Sequence, residues 1–141
     1  MTNKGRAGTG PAPCPCGNGA YDTCCGRFHR GEASPPTAEA LMRSRYSAYV
    51  LGDVSWLRQT WHASTCPPDL SADPGTNWLG LTVKSHAQQD ATHATVEFVA
   101  RYKVGGRAHR LHELSRFVFE SREPGEASRW LYVDGDLREP A

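Results

Sequence analysis

Apolar residues follow two periods along this chain, and the switch between them divides it. Over residues 37–51, Ala38, Leu41, Met42, Ala48 and Tyr49 recur at helical spacing, with Arg45 on the same face and Tyr46 and Val50 on its flank. Thr37 is placed to cap this helix, Glu39 suits its positive end, and Gly52 ends it. Asp53 caps a second helix whose apolar side is Trp56, Leu57, Thr60 and Trp61, with His62 at its end. So short a join predicts a helical hairpin. After a Pro-rich loop over 62–77 the period becomes two. Strands are predicted over 78–88, 92–104, 107–120 and 129–134, with Val96, Phe98, Ala100 and Tyr102 on one face of the second and Thr95, Glu97, Val99 and Arg101 on the other. Gly105-Gly106 is a two-residue hairpin turn of the I′ or II′ kind. Two helices followed by an antiparallel meander give an α+β fold, with the helices on one face of a sheet whose curl leaves a concave pocket.

The residues before the helices have no such period. Residues 1–13 are polar and glycine-rich and read as a disordered tail, without the apolar stretch of a signal peptide. No apolar run is long enough to span a membrane. The net charge of +1 removes any global field for nucleic acid or membrane, so nucleic acid is not the expected partner. The expected location is the cytoplasm.

Four of the five cysteines sit together as Cys14, Cys16, Cys24 and Cys25. Thiolates spaced this way can converge on one soft cation, and zinc takes four of them tetrahedrally in structural sites. Cross-paired disulfides and free thiols are the alternatives, but adjacent cysteines bridge poorly and nothing else suggests secretion. Gly17, Gly19 and Gly26 would permit the positive φ angles of a tight metal loop. Lys4, Arg6, Arg27 and Arg30 could offset the charge of a four-thiolate site. His29 is either a replacement ligand or a surface residue, the second being the simpler expectation.

The stretch CPCGNGAYDTCCG resembles the SEC-C motif, the small zinc-binding element at the C-terminus of the SecA preprotein translocation motor and in other proteins. The resemblance places Cys14, Cys16, Cys24 and Cys25 at the ligand positions and Tyr21 at the aromatic one, in a loop one residue shorter than usual. The element order resembles a nuclear transport factor 2-like cone, also called SnoaL-like. Residues 41–49 (LMRSRYSAY), Thr60-Trp61-His62, Leu111-His112-Glu113 and residues 130–135 (WLYVDG) are similar to the YchJ-like family, which joins an N-terminal SEC-C element to such a cone. The resemblance implies a zinc knuckle over 14–30 and the cone over 37–135, but no reaction.

Pocket candidates are polar or aromatic residues where the cone would be lined: Arg43, Arg45, Tyr46, Trp61, His62, Trp78, His112, Glu113 and Trp130. One of the two arginines is expected to pair with a sheet carboxylate, Glu113 first and Asp134 second. His112 and Glu113 are adjacent on a strand, so only one can face the pocket. His86, His93 and His109 read as surface residues and Cys66 as inert. Three functions fit. The first is a zinc-binding adaptor, its knuckle meeting a protein or ribonucleoprotein partner and its cone a small ligand. The second is an enzyme moving a proton on a small molecule. The third is RNA binding through bases near the knuckle. A deep pocket with convergent polar groups favours the enzyme, a filled one the adaptor. The knuckle, with all its ligands local, is expected to fold independently of the cone.

Overall fold

A computed structural model describes residues 12–138 of the chain. A 3-10 turn, Tyr21–Thr23, leads into the short helix α1, Cys25–His29; α2 runs Ala38–Leu51 and α3 Val54–Gln59. Four strands follow, β1 Thr76–Gln88, β2 His93–Val104, β3 Arg107–Glu120 and β4 Arg129–Leu137, in one antiparallel sheet of order β1-β2-β3-β4. The expected tail lies outside the described residues up to position 11. Ala12 and Pro13 are already part of the knuckle, the first accepting from Tyr21 N and the second bridging Ala20.

Local chemistry sets the helix ends. The Thr37 hydroxyl accepts from Ala40 N at 3.0 Å, and Asp53 Oδ1 from Trp56 N at 3.0 Å. Gly52 takes φ +74, a left-handed C-cap that other residues adopt only with strain. Helix α3 is shorter than its apolar spacing suggests. Thr60 turns its hydroxyl back onto Trp56 O at 2.6 Å, and the chain leaves the helix so that Trp61 bridges Tyr132 of β4 in parallel. Trp61 and His62 therefore belong to a sheet-edge segment, not a helix end. Both residues of the Gly105-Gly106 turn have positive φ, the type I′ geometry.

Helix α2 lies across the sheet and contacts β1, β2 and β4. Leu41 and Ala48 of α2, Leu57 of α3 and Val96 of β2 are wholly buried in the core between helices and sheet. The α2–α3 corner is pinned by Trp56 Nε1, which donates to Ser44 Oγ at 2.9 Å, while that hydroxyl donates to Leu41 O at 2.7 Å. Cys14, Cys16, Cys25 and Phe28 belong to the same apolar cluster as α2 and the sheet. The expectation of an independently folding knuckle is set against this packing: knuckle and cone share a core. No described helix is long and apolar enough to cross a membrane.

Candidate metal centre and aromatic cavity

The knuckle folds its four sulfurs inward. Cys14 N donates to Gly19 O and Gly17 N to Cys14 O, a tight turn in which Gly17 and Gly19 take φ +87 and +88. Gly26 does not share that role. It lies in α1, where a Cβ would strike the Tyr21 carbonyl and ring, so its function is close packing. The four Sγ atoms lie within 4.8 Å of one another, with Cys16 and Cys24 at 3.6 Å. A tetrahedral ion with metal–sulfur bonds of ~2.3 Å has sulfur–sulfur edges of ~3.8 Å, so this set fits a soft divalent cation. Without one, the thiols share protons. The Cys25 S–H holds the Cys16 thiol down to about 5, while burial and then the Cys16 thiolate push Cys24 up to about 11. Cys25 is raised by the same bond to Cys16 and by burial. A cation that displaces those protons relieves the crowding.

The residues around the cluster are only partly those expected: Arg27 Nε donates to Cys24 O at 3.2 Å. Arg30 is turned away, its Nε and Nη2 forked onto Glu32 and its Nη1 near Asp22. Lys4 and Arg6 lie outside the described residues. Arg43, expected in the pocket, instead joins the knuckle: Nη1 donates to Cys16 O at 3.1 Å and Nε to Glu39 at 3.0 Å. His29 is neither ligand nor surface. Its side chain is 5% exposed; Nε2 donates to Ser44 O at 2.8 Å, which leaves Nδ1 to accept from Tyr21 OH at 2.7 Å. Nε2 ties the knuckle to α2, and Nδ1 braces the knuckle's own 3-10 turn.

Under α2 lies a cavity of about 290 Å³. Arg45, Tyr46, Trp61, Trp78 and Glu113 of the expected set line it. The other four candidates do not. His112 points to the opposite sheet face, where Nε2 meets Glu97 at 2.7 Å. His62 pairs with Glu120 at 2.5 Å, outside the cavity. Trp130 is buried in a separate hollow beside Phe28 and Trp56. Arg43 is at the knuckle. The expected helix–sheet ion pair is also absent. Among the described residues neither arginine pairs with a sheet carboxylate, and Asp134 is held by Arg116 at 2.7 Å. Arg45 donates from Nη1 to Leu57 O at 2.9 Å and to Thr60 Oγ1 at 2.8 Å. Its Cζ lies 4.6 Å from the Tyr132 ring centroid and 4.9 Å from that of Trp61. Burial lowers its pKa, yet an arginine stays charged.

Glu113 accepts from Ser115 Oγ at 2.7 Å and from Tyr132 OH at 3.1 Å. Burial first, and then Glu113, raise the Tyr132 phenol well above its usual range. Space for this carboxylate comes from Gly135, where any Cβ would overlap the Glu113 side chain. Ser115, Phe117, Tyr132 and Gly135 were missed as site residues. The signal for three of them is period two: Leu111, Glu113, Ser115 and Phe117 share one face of β3, and Tyr132 pairs with Phe117 across β4.

The family model described as "YchJ, middle NTF2-like domain" matches residues 37–135. A UPF0225 protein of Cupriavidus pinatubonensis is 72% identical over 128 residues, 90% of each chain. Another, of Ralstonia nicotianae, is 68% identical over 141 residues, 94% of this chain and 98% of its own. The solution structure of a SEC-C motif containing protein from Rhodopseudomonas palustris superposes with a TM-score of 0.75 at 32% identity, covering 90% of this chain and 99% of its own. A crystal structure of a SEC-C motif containing protein from Psychrobacter arcticus gives 0.75 at 28%, covering 92% and 85%. With a four-thiol knuckle set against an NTF2-like α+β domain, and with these relatives, the chain belongs to the YchJ-like UPF0225 family.

Proposed function

We propose that this protein binds a small molecule in its aromatic cavity and that a zinc ion in the knuckle is structural, fixing helix α2 over that cavity. The observation that carries the reading is the cavity itself. A core built only for stability would close on aliphatic side chains; here a hollow of about 290 Å³ keeps a buried cation and a carboxylate at its walls. Zinc suits the knuckle because an all-sulfur tetrahedral set selects a soft ion, and because Cys14, Cys16 and Cys25 are too buried to leave an open catalytic position. Thiols kept reduced for a metal support a cytoplasmic location. The likeness to SEC-C motif proteins supports a partner role for the knuckle's exposed turn at Gly17–Gly19, toward a protein or ribonucleoprotein.

The test is a fragment screen on zinc-loaded protein, read by amide and indole NMR signals. The expected result is a set of fragments that shift Trp61 and Trp78 together. A broad library that moves no cavity signal would sink the reading. Metal analysis of freshly reduced protein should return about one zinc per chain.

A second reading, an enzyme acting by proton transfer, is favoured by Glu113. Its Oε2 takes both hydrogen bonds, leaving Oε1 free of partners among the described residues and able to accept a proton from a bound molecule. Arg45 would stabilise negative charge developing on that molecule. Deuterium exchange into a bound fragment, lost in Glu113→Gln, is the expected sign.

A further inference from the structure

Arg45 is a buried cation, 5% exposed, with no carboxylate in direct contact among the described residues. Its Nη1 is satisfied by Leu57 O and Thr60 Oγ1, and two aromatic faces hold its charge. Its Nε and Nη2 make no hydrogen bond among the described residues. Beside it, Trp61 Nε1 is a buried donor with no partner among the described residues. A buried N–H left unmade is costly and rare. Arg45 thus brings positive charge and unused donors to a hollow whose one acidic group, Glu113, lies at the far end of the Tyr132 ring, and Trp61 adds a buried, unpartnered N–H to the same lining. Tyr132 sets the distance to the one acidic group in the lining: Arg45 lies over its ring and Glu113 at its hydroxyl. The body between is flat and aromatic, with Tyr46 edge-on to Trp78 at 5.7 Å.

Resting on the small-molecule reading above, we infer that the cavity takes a small planar carboxylate, its anionic end on Arg45 and the Trp61 indole N–H and a hydroxyl or N–H at its other end donating to Glu113. The hollow is at the lower limit of small-molecule pockets, which restricts the body to about one ring. The carboxylate supplies both missing terms, the counter-charge and the acceptors. The ligand's donor is required because a second bare anion near Glu113 would be repelled.

The experiment titrates the full-length, zinc-replete protein with meta-hydroxybenzoate, its methyl ester and benzylamine, each to millimolar concentration, following the Trp61 indole N–H by NMR. The acid should bind at least about tenfold more tightly than the ester, the difference a charged hydrogen bond makes, and the indole proton should move downfield. Trp61→Phe keeps an aromatic face for Arg45 and removes the N–H; followed through the Trp78 indole signal, it should weaken the acid and leave the ester unchanged. This variant carries the test if Arg45→Met fails to fold. An ester that binds as tightly as the acid, or an amine that binds more tightly, overturns the anion inference while the cavity reading stands. Silence from all three probes also overturns it, and the fragment screen then decides the cavity separately.

Discussion

Gly135 shows how one residue can determine a site it does not line. Glu113 lies directly over its Cα, across the β3–β4 pairing, and the position has room for hydrogen alone. Gly135→Ala should therefore displace Glu113, break its bonds from Ser115 and Tyr132, and destabilise the fold by about 1–3 kcal/mol, the usual cost of overpacking. Thermal melts would give the loss, and the Tyr132 ring signals the displacement; a variant as stable as the parent with Tyr132 unmoved would show that β4 simply yields. Ser44 is a second such position. It accepts from the Trp56 indole inside the α2–α3 corner, so Ser44→Ala leaves a buried donor unmade and should cost about 1–3 kcal/mol in a denaturant titration. Neither residue stands out in the sequence, because what matters at each is what the fold brings against it.

Elements were legible wherever the chain encodes them locally. Thr37, Gly52, Asp53 and Gly105-Gly106 each act on their own neighbours, and the helix and hairpin ends fall where those residues put them. The β3 alternation likewise separates His112 from Glu113. Contacts distant in sequence were not legible. Arg45 was placed on the core face correctly, but its partners, Leu57 O, Thr60 and two rings, arise from the α3 exit and β4, and residue type alone suggested a carboxylate. The β3–β4 pair also carries an acid-sensitive cluster. Arg116 lies between Asp134 and Asp136, and its hydrogen bonds hold the Asp136 carboxyl below its usual range. His112 of β3 does the same for Glu97 of β2. A lowered folded-state pKa gives stability that is present above the ordinary carboxylate value of ~4 and is lost as pH falls through the lower folded one. The melting temperature should thus decline below pH ~4, and Arg116→Ala should flatten part of that decline. An identical acid profile in the variant would show that the cluster is fully screened by solvent.

The molecule as a whole behaves as one folding unit only if the knuckle and the sheet stand on the same core, and the contacts say they do. Three of the four metal-site cysteines are buried against α2, Cys14 Sγ lies 3.5 Å from Ser47 Oγ, and Arg43 and His29 each bond across the boundary to the other part. Three of the four sulfurs in turn line that contact, since Cys14, Cys16 and Cys25 lie in one core with Leu41, Phe98 and Phe117. Releasing a bound metal would restore protons to crowded thiols and loosen the face on which α2 rests. Because metal bound to the folded chain alone adds to its stability by mass action, even ~3 kcal/mol of linkage should lower the melting temperature by about 10 °C in a chain of this size. A chelator should shift the sheet's circular-dichroism transition and the knuckle's unfolding together, as one event. Cys24→Ser should reproduce the shift without chelator, whereas Cys66→Ser, outside the cluster and with its Sγ on Pro67 O, should leave the transition where it is. A sheet that melts at the same temperature with and without metal, while residues 14–29 lose their structure, would instead mean that α2 is seated by the sheet alone.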